Sequence, residues 1–206
     1  NKKNFYIDGK WVAPVKSRNY KVIDPSNEEP CAEISLGGKK DIDKAVTAAK
    51  KAFGTWAFSK KEERLELLEK LYVIYKKRWA EMAKIISLEM GAPMKFSTEM
   101  QAATGASHIK SFKNILKDFN FEKDLGEEKN NQKLLYEPKG VCALITPWNW
   151  PINQVNLKVI PALASGCTVV LKPSEIAPLS SMLLAEMIDE AKFPVGIFNL
   201  VNGDGA

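Results

Sequence analysis

One feature constrains this chain more than any other. Between residues 140 and 205, short apolar runs alternate with segments of helical periodicity. Val141 to Thr146 (VCALIT) is a continuous apolar run, the signature of a strand buried on both faces. A helix is predicted over Ile152 to Ser165 and ended by Gly166, and a second strand over Thr168 to Leu171. Another helix follows over Leu179 to Ala191, then a third strand, Ile197 to Val201, which runs into Asn202-Gly203-Asp204-Gly205. The order β-α-β-α-β makes a parallel sheet with helices on its faces, an α/β fold. Ligands of such sheets sit beyond the C-terminal ends of the strands. Three segments lie there, Thr146-Pro147-Trp148-Asn149, Lys172-Pro173-Ser174-Glu175 and Asn202-Gly203-Asp204-Gly205, and their convergence is where a site is expected.

Upstream, Phe5 to Val12 reads as two short strands joined at Asp8-Gly9, a strong hairpin signal. A loop is expected at Asp24-Pro25-Ser26-Asn27. Asp41 is placed to cap a helix with apolar positions Ile42, Ala45, Val46, Ala49 and Phe53. A longer helix is predicted from Lys60 to Met90, with Leu65, Leu68, Tyr72, Tyr75, Trp79, Met82 and Ile86 on one stripe and Gly91 and Pro93 as its stop. A third helix is predicted over Phe96 to Leu116. The polar stretch from Lys117 to Gln132 suits a loop or an exposed strand.

Charge narrows the range of partners. The chain has 30 Lys and Arg against 25 Asp and Glu, a net +5, but the signs are interleaved, as in Lys60-Lys61-Glu62-Glu63-Arg64. That is a solvated surface rather than a nucleic-acid footprint. No apolar run approaches the ~20 residues of a membrane helix, and the polar start has no secretory pattern. Three widely spaced cysteines, Cys31, Cys142 and Cys167, argue against a disulfide framework and a zinc site. The cytoplasm is the expected compartment.

The strand-end residues carry the candidate chemistry. Pro147 and Pro151 hold the backbone on either side of Asn149, whose amide could donate to a developing oxyanion. The same segment also reads as a rigid turn whose Asn satisfies local backbone, and the residues alone favour that reading. Lys172 and Glu175 after a parallel strand suit the hydroxyls of a ribose. The alternative is a solvated loop in which Ser174 caps the next helix, and the four residues leave the two readings even. Gly203-Asp204-Gly205 could bring backbone close to a pyrophosphate, although the residues alone favour an ordinary turn. His108, the single histidine, is expected to face solvent. Cys142 and Cys167 are expected as small buried hydrophobes and Cys31 as a loop residue, and none has the basic or helix-start context of a nucleophile.

Taken together, FYIDGKWV, VCALITPWNWP, KVIPALASGCTVVLKPSEIAPL and FPVGIFNLVNGDG resemble, in this order, the aldehyde dehydrogenase superfamily. The resemblance covers nearly the whole chain. It implies a Rossmann-like parallel sheet with flanking helices, the N-terminal part of that family's fold, plus part of a β oligomerisation arm. Residues 1–116 would be the N-terminal hairpin and helices of the cofactor-binding domain, 117–137 an arm segment joined by the N-terminal strands, and 138–206 the first βαβαβ part of the cofactor-binding domain.

The resemblance also assigns roles. Asn149 matches the family's oxyanion Asn. Ile145, Thr146, Pro147 and Trp148 would line the cofactor path, with Lys172 and Glu175 on the adenosine ribose, Ser174 between them, and Gly203 and Gly205 near the adenine and pyrophosphate. The implied cofactor is NAD+, with NADP+ as the alternative, because Glu175 would repel a 2′-phosphate. The implied substrate is a small-molecule aldehyde, with Trp150 and Asn153 as candidate pocket residues, and the implied assembly a homodimer or homotetramer. The catalytic Cys and the general-base Glu of a Glu-Leu-Gly-Gly context have no match in this sequence, and the catalytic domain is expected outside it. A second reading, a short non-catalytic nucleotide-binding or assembly paralogue, stays open on the residues alone.

Overall fold

The structure, a computed structural model, describes residues 2–126 and 132–205. Strands β1 (Phe5–Ile7) and β2 (Lys10–Val12) form the expected hairpin, with Asp8 and Gly9 both at positive φ (52° and 71°), as a tight two-residue turn requires. Strands β3 (Asn19–Asp24) and β4 (Glu29–Ser35) pair antiparallel as a separate ribbon. The sequence signalled only their turn. Cys31 therefore lies in a strand, not a loop, and its thiol donates to Val22 O at 3.4 Å.

Helix α1 (Lys39–Trp56) starts behind Gly38 rather than Asp41. Asp41 sits one turn inside, where its carboxylate accepts the Gly38 N–H at 3.0 Å and the Val15 N–H at 2.9 Å. The helix buries Ala45, Ala48, Ala49 and Ala52, whose small side chains let it lie close on the sheet, and leaves Ile42 outside. The long helix expected over 60–90 is two: α2 (Lys61–Lys77) and α3 (Trp79–Met90), broken at Arg78, where φ −97° and ψ 16° leave the helical region. The break changes the buried stripe. Leu71, Ile74 and Tyr75 go inside, while Tyr72 and Trp79 are only partly covered. Gly91 at φ 74° closes α3 in the left-handed conformation. A short turn, α4 (Met94–Phe96), and a wider π-turn (Ser97–Gln101) lead into α5 (Ala102–Asp118).

Strands β5 (Glu122–Asp124) and β6 (Lys133–Leu135) form a second exposed ribbon within the segment expected as an arm; residues 127–131 of that segment lie outside the described residues. The alternating region then appears as expected: β7 (Val141–Ile145), α6 (Pro151–Ala164), β8 (Thr168–Lys172), α7 (Leu179–Glu190) and β9 (Phe198–Leu200). The main sheet has the order β2-β1-β9-β8-β7, with β7, β8 and β9 parallel and β1 antiparallel to β9 through Tyr6 and Leu200. The N-terminal hairpin thus extends the main sheet instead of joining an arm. Asn199 locks it there, accepting the Asp8 N–H at 3.0 Å and donating to Val169 O and Gly196 O.

Side chains alternate across the sheet as strand geometry demands. Phe5, Ile7, Val170 and Val201 cluster with the alanines of α1 on one face, while Tyr6, Val169, Leu171, Phe198 and Leu200 join the larger core with α6 and α7. β8, in the middle, is buried from Thr168 to Leu171. β7, expected to be buried on both faces, is not: Ala143 and Ile145 are exposed, Ile145 by 68 %. Among the described residues β7 is the last strand of the sheet, so it has a neighbour on one side alone. Among the described residues, no helix is long and apolar enough to cross a membrane.

Candidate functional site

Three strand ends meet at the C-terminal edge of the parallel strands. Thr146, just past β7, donates its backbone N–H to Lys172 O at 3.2 Å. Lys172, the last residue of β8, sends Nζ to Gly203 O beyond β9 at 2.7 Å and to Pro173 O at 3.1 Å. Glu175 Oε2 lies 3.7 Å from the same ammonium, and both side chains are about three-quarters covered. A single lysine therefore ties the loop after β8 to the loop after β9, with a carboxylate beside it. The expected convergence of the three segments is present.

The pieces differ in how they are held. In the loop from Pro173 to Pro178, Pro173, Ser174, Ala177 and Pro178 are buried, Glu175 is half-buried and Ile176 is exposed. Ser174 does not cap a helix: its Oγ accepts the Ile176 N–H at 3.3 Å, and α7 begins only at Leu179. Gly203 and Gly205 are not in the left-handed conformation. A Cβ on Gly203 would touch only Lys172, at 3.5 Å, and nothing lies within 4 Å of one on Gly205, so this backbone borders open space. Asp204 pairs with Arg18. At the same strand ends, Thr146 Oγ1 and Asn202 Oδ1 are buried without a hydrogen-bond partner among the described residues. Buried polar atoms of this kind normally have partners.

Asn149 stands apart. It is exposed, as are Pro147 and Trp148, and it lies two residues before Pro151, the first residue of α6. Its neighbour is what is clamped: Trp150 Nε1 donates to Thr104 Oγ1 at 3.2 Å, and the ring meets Phe96 edge-on at 5.6 Å. Below it, His108 Nε2 and Asn153 Oδ1 are 2.7 Å apart. His108 is therefore half-buried and paired, not solvent-facing as expected, because α5 packs along α6 and brings 108 opposite 153. Phe96 and Thr104 lie on the stretch 96–108, which the family resemblance places beside the aldehyde pocket. They flank the π-turn, Phe96 just before it and Thr104 on the first turn of α5.

The thiols differ: against the pull of burial, hydrogen bonds from Ser165 and from the backbone at Gly140 and Lys139 hold the Cys167 thiol below its ordinary value, whereas burial pushes the Cys31 thiol up. Cys167 is buried and Cys142 half-buried, and burial pushes the Cys142 thiol up. Among the described residues, no group of three or more His, Cys, Asp or Glu is placed to hold a metal.

One ionisable group behind the site is unusual. Glu89, on the last turn of α3, is 1 % exposed, and its carboxylate accepts the backbone N–H groups of Leu179 (Oε2) and Ser180 (Oε1, 3.0 Å) at the start of α7. It had a sequence signal that went unread: it falls on the buried stripe, three residues after Ile86 and seven after Met82. Burial pushes its pKa up to about 7, against the pull of Ser180 and Leu179. A carboxyl with a raised folded pKa holds its proton better in the native state, so stability falls as pH rises from the ordinary value of ~4.3 to about 7. The denaturation midpoint is expected to decline across that window, and the decline should flatten in Glu89→Gln. Parallel profiles for the two proteins would contradict it.

A profile of the aldehyde dehydrogenase family matches residues 11–206. This chain belongs to that family. An aldehyde dehydrogenase from Bartonella henselae is 57% identical and superimposes with a TM-score of 0.97, over 100% of this chain and 43% of that one. Aldehyde dehydrogenase C from Pseudomonas syringae, a variant solved with NAD+ and octanal, gives a TM-score of 0.95 at 43% identity, over 98% of this chain and 41% of its own. In sequence, a 3-succinoylsemialdehyde-pyridine dehydrogenase from a Pseudomonas species is 50% identical over 98% of this chain. This aldehyde dehydrogenase chain spans about 42% of the length of that relative. It carries the N-terminal part of the family fold.

Proposed function

We propose that the protein carrying this chain oxidises an aldehyde to a carboxylic acid with NAD+, and that this chain supplies the cofactor cradle and the oxyanion donor. The observation that supports this most is the meeting of Lys172, Glu175 and Gly203 at the parallel-strand ends, in a chain of this family. The Pseudomonas syringae relative was solved with NAD+, and so was a betaine aldehyde dehydrogenase from Staphylococcus aureus, 32% identical with a TM-score of 0.93.

Each residue has a task. Lys172 donates and Glu175 accepts at the ribose hydroxyls, with Ser174 holding the backbone between them. Thr146, Ile145, Pro147 and Trp148 form the wall from the end of β7 toward α6, and Gly203 and Gly205 leave room for the phosphates. When bound, the nicotinamide supplies the hydride acceptor. Asn149 donates its side-chain N–H to the oxygen of the thiohemiacetal formed on a cysteine outside this chain, and it does so at the mouth of α6, where the helix's free N–H groups add to the positive potential. Trp150 and Asn153, held by Thr104 and His108, face the aldehyde. The ribbon of β5 and β6 belongs to an arm that builds a homodimer or homotetramer, and the three free thiols suit a cytoplasmic protein.

The cofactor assignment has a direct test. Glu175→Gln should raise KM for NAD+, because an acceptor for the ribose is weakened, and lower KM for NADP+, because the charge facing the 2′-phosphate is gone. The NAD+/NADP+ preference in kcat/KM is expected to shift about tenfold, equivalent to ~1.4 kcal/mol. An unchanged ratio would remove Glu175 from the ribose site.

A further inference from the structure

The loop that presents Glu175 is held at both ends. At its front, Lys172 bonds across to Gly203 O at 2.7 Å. At its back the chain enters α7 through Pro178, which offers no side-chain cap, and the first N–H groups of the helix would be orphaned in a buried place. Glu89 fills that need from another part of the fold: one carboxylate takes two successive N–H groups, those of Leu179 and Ser180. Leu179 is only four residues past Glu175, and the residues between include the buried Ala177 and Pro178. The backbone therefore has little slack to absorb a shift of the helix start.

We propose that Glu89 is a positioning residue for the cofactor loop, fixing the start of α7 so that Glu175 projects at the distance and angle a ribose needs. This rests on the reading of Lys172 and Glu175 as the ribose pair. A carboxyl group is suited to the task because its two oxygens reach two adjacent N–H groups at once. A glutamine in its place keeps one acceptor and turns an amide NH2, a donor, toward the second N–H, so the helix start loses half of its anchor.

The experiment uses the full protein that carries this chain and compares Glu89→Gln with Glu175→Gln. Glu89→Gln is expected to raise KM for NAD+ about tenfold, the scale of one lost hydrogen bond. Its kcat at saturating cofactor should fall far less. It should also narrow the NAD+/NADP+ preference in the same direction as Glu175→Gln, because a displaced Glu175 discriminates less well. A purely structural cap would lower the thermal midpoint and leave that preference where it was, and such a result would overturn the proposal. If Glu175→Gln itself leaves the preference unchanged, the ribose reading fails and this inference with it. Should Glu89→Gln not fold, Glu89→Asp keeps the charge and withdraws it by one methylene, and the same two constants decide.

Discussion

Asn149→Ala is expected to lower kcat/KM for aldehyde oxidation by about 10²–10³-fold, the usual cost of removing one oxyanion donor, while the Kd for NAD+ stays within about twofold. The physical reason lies in where Asn149 sits. It is exposed at the entry of α6 and outside the cluster of Lys172, Glu175 and Gly203. Truncating it should therefore leave the cradle intact and remove an interaction that strengthens only as negative charge develops on the substrate oxygen. The stability cost should be small, because the residue is exposed. Single-turnover kinetics with cofactor already bound separate the two effects. A loss confined to NAD+ affinity would mean that Asn149 belongs to the cofactor site, and full activity would mean that the turn between Pro147 and Pro151 is only structural.

Arg64→Met is expected to cost about 3–4 kcal/mol of stability, the largest loss anticipated for a single change away from the site. Arg64 is 5 % exposed. Its guanidinium donates to Ser59 Oγ and to the carbonyls of Trp56, Ala57, Ser59 and Ala164, which gathers the C-terminal ends of α1 and α6 onto the first turn of α2. Methionine fills much of the volume but removes the donor to the carbonyls of Ala57, Ser59 and Ala164, while Trp56 O keeps the Ser59 N–H and hydroxyl; it also loses the stacking on Trp56 and Phe121. Gly166 belongs to the same arrangement: it sits at φ 91°, and a Cβ there would lie 2.7 Å from Arg64 Nη2. Gly166→Ala should accordingly be damaging in the native protein. It should be less so on top of Arg64→Met, where the clash is relieved and only the backbone strain remains. Urea denaturation of the four proteins measures both terms; a loss below about 1 kcal/mol for Arg64→Met would mean that water takes over the carbonyls.

Much of this molecule was determined by its sequence alone. The β-α-β-α-β alternation, the Asp8-Gly9 hairpin and the stops at Gly91 and Gly166 are local signals, because periodicity and turn chemistry act over a few residues. The convergence of Thr146, Lys172 and Gly203 followed from the handedness and order of parallel units, which leave consecutive strand ends on one edge. Tertiary structure decided what depends on residues far apart in the chain. β7 is half-exposed because of its place at the end of the sheet, and the N-terminal hairpin joins that sheet only because β9 offers it an edge. The break at Arg78, the pairing of His108 with Asn153 and the clamp of Thr104 on Trp150 arise from helices packing on one another. Glu89 and Arg64 show the boundary most clearly. Each occupies a buried position on an apolar stripe, which the sequence displays, but the carboxylate and the guanidinium are tolerable there only because the fold brings the first N–H groups of α7 to one and the carbonyls at the ends of α1 and α6 to the other.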